Sequence, residues 1–173
     1  MKTDRLIPHP AFAPVKARKM AVRWGRVRGG EMMLRFRLDG CEALVLPGAR
    51  LEGRADGLWQ TTCCELFLAL EGGCYREFNF APSGQWAAYD FRGYRTGMAE
   101  YEPVSAPRID VDRGLSVSTF TVFLPESEFA GARFAGLSAV IEEQGGRLSY
   151  WAARHGGEKP DFHNPACFML PVP

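Results

Sequence analysis

No stretch of this 173-residue sequence approaches the ~20 consecutive apolar residues that a membrane-spanning helix requires. Charge of one sign is also missing. The 21 Lys and Arg residues nearly balance 20 Asp and Glu, so there is no global basic field of the kind that attracts nucleic acid. The five cysteines are an odd number, contain no Cys-x-x-Cys pair, and include the adjacent Cys63 and Cys64, whose side chains leave a strand on opposite faces. A disulfide framework and a zinc site are therefore both disfavoured, and reduced thiols in a cytoplasmic protein are expected. Residues 1–21 lack the continuous apolar core of a secretion signal and are broken by Pro8, Pro10 and Pro14. No segment carries the 3.6-residue periodicity of a three-turn amphipathic helix.

What is present is alternation. Hydrophobic residues make up 46% of the chain and charged residues 24%, a globular balance for one domain over residues 1–173, with 1–17 set apart as an N-terminal extension. Residues 1–30 hold eight bases against one acid, interleaved with apolar residues, which suits a solvated strand face better than a polyanion-binding arm. Met20, Val22 and Trp24 alternate with polar or small neighbours, as do Met32, Leu34, Phe36 and Leu38, and Gly29-Gly30 joins them as a hairpin. A strand runs from Leu115 to Leu124 and stops at Pro125, and another hairpin spans Phe134 to Ala153 across Gln144-Gly145-Gly146-Arg147. Residues 40–58 and 92–108 read as long connections. Many short strands with Gly and Pro punctuation imply an all-β antiparallel sandwich of jelly-roll or immunoglobulin-like type.

The most informative stretch runs from Trp59 to Phe91, with strands at Cys63–Leu70, Cys74–Ala81 and Trp86–Phe91. Pairing across Glu71-Gly72-Gly73 sets Glu65 beside Asn79 and Phe67 beside Glu77. Pairing across Pro82-Ser83-Gly84-Gln85 sets Glu77 beside Asp90 and Ala81 beside Trp86. One face then holds Cys64, Leu66, Leu68, Phe78, Phe80, Tyr89 and Phe91 as core. The other holds Glu65, Phe67, Glu77, Asn79, Trp86 and Asp90. Carboxylates, an amide and aromatic planes on one sheet face are the chemistry of sugar recognition. The same pattern also fits solvated acids neutralised by Arg35 or Arg37.

Trp59, the Cys64-Glu65-Leu66-Phe67-Leu68 strand and the Tyr75-Arg76-Glu77-Phe78-Asn79-Phe80-Ala81-Pro82-Ser83-Gly84-Gln85-Trp86 run resemble the family-9 carbohydrate-binding modules and the wider DOMON-like bacterial proteins. The resemblance covers about residues 18–172. It implies a β-sandwich that binds rather than turns over its ligand, with Trp59 and Trp151 as the two planes around a sugar and Glu65 accepting hydroxyl protons. Similar sequences carry an acid three residues after the tryptophan, where this chain has Thr62.

The full set of expected ligand contacts is Trp59, Glu65, Glu77, Asn79, Trp86, Trp151, Arg154 and Asn164, with no catalytic residue, metal ligand or cofactor. A carbohydrate or small polyol is the expected partner. A protein-interaction or self-associating module is the alternative, which would make the chain a homo-oligomer. A haem-binding DOMON domain, drawing on Met20, Met32, Met33 or Met98 with His155 or His163, is a lesser one. Ser149, His155, Asp161 and His163 lack the nucleophile elbow of a hydrolase, and the 159–165 loop reads as a rigid cap.

Overall fold

The computed structural model describes residues 1–48 and 50–173, and among these there is no α-helix, only four short 3-10 turns. Twelve strands carry the chain: β1 Lys2–Pro8, β2 Lys19–Val27, β3 Glu31–Asp39, β4 Cys63–Ala69, β5 Tyr75–Phe80, β6 Trp86–Phe91, β7 Ala99–Glu100, β8 Arg108–Arg113, β9 Val117–Pro125, β10 Phe134–Glu143, β11 Arg147–Ala152 and β12 Leu170–Pro171. All pairings between these strands are antiparallel, in the order β7-β6-β5-β4-β10-β11-β1-β2-β3-β9-β8, with β12 beside β10.

The sheet curls so that its two halves face one another, and β1 is the corner. Lys2 to Leu6 pair with β2 in one half, while Ile7 and Pro8 pair with Ala152 and Trp151 of β11 in the other. Residues 2–8, grouped at the sequence level with an N-terminal extension, are thus part of the framework. The hairpins expected at Gly29-Gly30 and residues 144–147 are present. The edge strands β7 and β8 were not legible, because their sequences are short and largely exposed.

The core between the halves takes one face of each strand. Val22, Trp24, Leu34, Phe36, Phe120 and Val122 from one half meet Leu66, Phe78, Phe80, Ala139 and Trp151 from the other. Each fully buried Val, Leu or Phe among them contributes ~1.5–3 kcal/mol. A second apolar cluster lies on the outer face of the β6-β5-β4-β10-β11 half and includes Phe67, Tyr75, Tyr89, Phe91, Val140 and Phe162. Its existence explains why β4 is buried on both faces along Cys63–Leu68. That outer face is roofed, and the roof makes the site.

Candidate functional site

Over the outer cluster lies a cleft of about 1170 Å³. Its floor is β4, β5 and β6, presenting Glu65, Phe67, Glu77, Tyr89 and Phe91. Its walls come from four loops: Phe12 after β1, Asp56 and Trp59 before β4, Arg95 and Met98 after β6, and residues 158–163 near the C-terminus. A smaller concavity of about 650 Å³, bounded by Arg26, Glu126 and Pro173, is lined by none of the predicted site residues.

The register of β4 and β5 places the two acids. Glu65 pairs with Asn79 and Glu77 with Phe67, as the alternation predicts. Ser138 Oγ, from β10, donates to Glu65 Oε2 at 2.9 Å, and among the described residues Glu65 Oε1 has no hydrogen-bond partner. Asn79 Nδ2 donates to Glu77 Oε1 at 2.7 Å, while Cys63 Sγ donates to Asn79 Oδ1 at 3.6 Å. Asn79 is therefore a bracket that orients Glu77 and lies outside the cleft lining. Glu77 Oε2 faces His163 Nε2 at 3.7 Å.

Burial sets the protonation of this floor. Glu65 and Glu77 are only 2% and 5% exposed. Desolvation, with the neighbouring Glu77, lifts the Glu65 carboxyl to about 8. Desolvation lifts Glu77 to about 7 against the opposing pull of Asn79 and Arg95. The His163 imidazole is pushed down to about 4, first by burial and then by Arg95. Tyr75 OH accepts the Arg95 amide at 3.1 Å and is hydrogen-bonded to His163 Nδ1 at 2.8 Å, which holds the ring with Nε2 toward Glu77.

The roof is held by packing and by ions. Phe168 stacks on Phe67 at 5.5 Å between ring centroids, and Tyr75 stacks on Phe91 at 4.6 Å. Arg95 Nη2 meets Asp161 Oδ1 at 2.8 Å, tying the turn after β6 to the C-terminal loop. Arg95 sits at φ 52, the one left-handed non-glycine conformation among the described residues, at the cleft rim. At the mouth stands Trp59, 54% exposed, and Tyr89 OH donates to Asp56 beside it.

Of the eight expected contacts, the structure brings Trp59, Glu65 and Glu77 into one cleft. Trp86 and Trp151 are corrections: both are core residues between the sheet halves, and neither lines the cleft. The reason for Trp86 is register. The β5-β6 loop closes through Ala81 N to Gln85 O, so Phe80 rather than Ala81 opposes Trp86. That one-residue shift sends Trp86 inward, and it brings Tyr89 and Phe91, expected in the core, out to the cleft. Asp90 also leaves the site face and pairs with Arg76. Trp151 is inward because it opposes Ala139, which in turn opposes Cys64 on the core face. Asn164 caps the turn at Pro165–Cys167 by accepting from Ala166 N, and Arg154 is exposed outside the cleft lining.

Arg35 and Arg37, offered as partners for the acids, instead meet Thr121 and Asp39 in the opposite half. Tyr89, Phe91, Arg95 and Phe162 are cleft residues that the sequence did not assign to a site. His163 entered the sequence reading only as a candidate haem ligand and as a member of a hydrolytic set that was set aside.

No family model and no curated protein matches this sequence. Among solved structures, the chain is similar to a protein from Bacteroides uniformis provisionally described as carbohydrate-binding. The TM-score is 0.71 at 18% identity, with 99% of this chain and 86% of that one covered. At that identity the likeness establishes the shared all-β fold.

Proposed function

We propose that the protein is a non-catalytic module that binds a carbohydrate or small polyol in the roofed cleft. The observation that carries this reading is the pairing of an exposed Trp59 at the mouth with the buried hydrogen-bonding groups of Glu65 and Glu77 on the floor. An indole plane covers the C–H face of a sugar ring, and carboxyls engage its hydroxyls. The provisional carbohydrate-binding role of the Bacteroides uniformis protein supports the same reading, as does the family-9 or DOMON-like resemblance. Cytoplasmic residence belongs to the proposal and is supported by five unpaired thiols.

Binding rather than turnover is the reading in keeping with the carbohydrate-binding description of the Bacteroides uniformis protein. The concave shape favours a small ligand over a flat protein-interaction or self-association surface. Of the haem candidates, Met20, Met32 and Met33 are buried in the sheet and His163 Nδ1 is engaged by Tyr75, while Met98 and His163 both line the cleft.

The test is a titration of monosaccharides and disaccharides followed by tryptophan fluorescence. Trp24, Trp86 and Trp151 are buried, so the response reports Trp59. A saturable change in wild type that weakens about tenfold in Trp59→Ala, read there by calorimetry, supports the site. Saturable binding that is unaltered by Trp59→Ala and Glu65→Gln places the site elsewhere.

A further inference from the structure

The cleft's charges lie at the rim and on the floor, with Glu158 and Lys159 of the C-terminal loop also lining it and forming no ion pair among the described residues. At the rim, Asp56 and Glu100 are partnered by Arg54 at 3.0 and 3.4 Å, and Asp161 by Arg95 at 2.8 Å. On the floor, Glu65 and Glu77 have no Lys or Arg within ion-pair distance among the described residues. Glu65 is buried, yet its Oε1 is left without a protein partner where the residue borders the cleft. That oxygen is open to the cleft, so a hydrogen-bond donor on a ligand can reach it.

The two acids are diagonal neighbours across β4 and β5, because Glu65 opposes Asn79 and Glu77 opposes Phe67. Diagonal positions lie about 7–8 Å apart at the backbone, close enough for two glutamate side chains to converge on one small group. Phe67 and Tyr89 flank Glu77 on either side in register, and Phe91 lies one step along β6 from Tyr89 on the same face. Paired carboxyls inside an aromatic enclosure match an ammonium group. The three N–H donors of such a group satisfy oxygens of both acids, and the ring faces attract its charge. A neutral hydroxyl would fill the same space but would leave the charge of either ionised acid unmatched.

We propose that the ligand carries an amine, as in an amino sugar, with its ammonium held between Glu65 and Glu77 and its carbon skeleton against Phe67, Tyr89 and Trp59. This deepens the carbohydrate reading and rests on it for the sugar part of the ligand only.

The experiment compares glucosamine, N-acetylglucosamine and glucose by calorimetry at pH 7 on the full chain, with benzylamine as an amine that is not a sugar. Acetylation removes the charge while leaving the ring, so the comparison isolates the ammonium. Glucosamine is expected to bind at least about tenfold more tightly than either neutral sugar, the scale of one hydrogen bond to a charged group. In Glu65→Gln and Glu77→Gln that ratio should fall to about threefold or less, with thermal melts confirming the fold.

Equal or tighter binding of the neutral sugars overturns the ammonium site and leaves the carbohydrate reading standing. Binding of benzylamine with no sugar bound upholds the ammonium site and overturns the carbohydrate reading. If none of the four binds, both fall. A glucosamine preference that survives in both glutamine variants also overturns the proposal, and it does so without depending on how stable either variant is.

Discussion

His163 Nε2 lies 3.7 Å from Glu77 Oε2, yet the two groups meet as a neutral pair rather than as an ion pair. Burial raises the acid and depresses the base, so near pH 6 a protonated carboxyl faces an uncharged imidazole. Asn79, Arg95, Tyr89 and Glu65 complete the charged and polar surroundings of Glu77.

This pair gives the unliganded protein a definite pH response. Glu77 and Glu65 have folded-state values of about 7 and about 8, above the ordinary 4.5, so the native state holds protons that the unfolded chain has released. Their effect is a loss of stability as pH rises, with a slope of up to ~1.4 kcal/mol per pH unit for each retained proton. His163 acts oppositely below pH 6.5, where the unfolded chain takes up a proton that the folded chain refuses until about pH 4. Stability should therefore fall as pH rises from about 4.5 to 8, most steeply above pH 6.5, because below that His163 offsets part of the carboxyl effect. Urea denaturation across that range checks this. Glu65→Gln with Glu77→Gln should remove the alkaline slope, and a slope unchanged in that double variant refutes the assignment.

Trp59 and Trp151 should behave as opposites. Trp59 is more than half exposed at the cleft mouth, so Trp59→Ala should change stability by less than ~0.5 kcal/mol while removing most iodide-quenchable fluorescence. Trp151 is 1% exposed within the core, with Nε1 donating to Ser149 Oγ at 2.9 Å. Trp151→Ala should cost ~3–5 kcal/mol. Equal stability losses for the two would contradict these placements.

Gly136 sits on β10 opposite Phe67, and a Cβ there would approach Phe168 Cδ1 at 2.9 Å and Cys167 O at 3.3 Å. Close approach of the C-terminal segment is what requires glycine. Gly136→Val should lift Phe168 from Phe67 and loosen the loop that carries Phe162 and His163, at a cost of ~1–3 kcal/mol. Amide exchange confined to residues 156–168 is the expected signature.

Glu143 accepts from the backbone N–H groups of Val15, Lys16 and Ala17 at 2.6, 2.6 and 3.0 Å. It fastens the link between β1 and β2 to the end of β10. Glu143→Ala should destabilise by about 3 kcal/mol, as charge-assisted bonds of this kind are lost together. Proteolysis should open first at residues 10–18.

The sequence alone determined the all-β character, the two main hairpins, and the pairing of Glu65 with Asn79 and Glu77 with Phe67. Strand alternation and a short turn leave little freedom there, since the two apolar faces must stay in phase. Alternation also put Glu65 and Glu77 on one sheet face, and the family resemblance marked Trp59. What only the tertiary structure decided began one residue further on. The loop between β5 and β6 spans Ala81 to Gln85, so Phe80 meets Trp86 and every side chain of β6 changes face. Composition does not encode that loop length, since both closures use the same Pro-Ser-Gly turn formers. Nor does any local pattern reveal that a loop some 70 residues downstream folds over the sheet, burying the acids and placing His163 against Glu77. Long-range packing made a closed, aromatic cleft out of a face that alternation alone leaves in water.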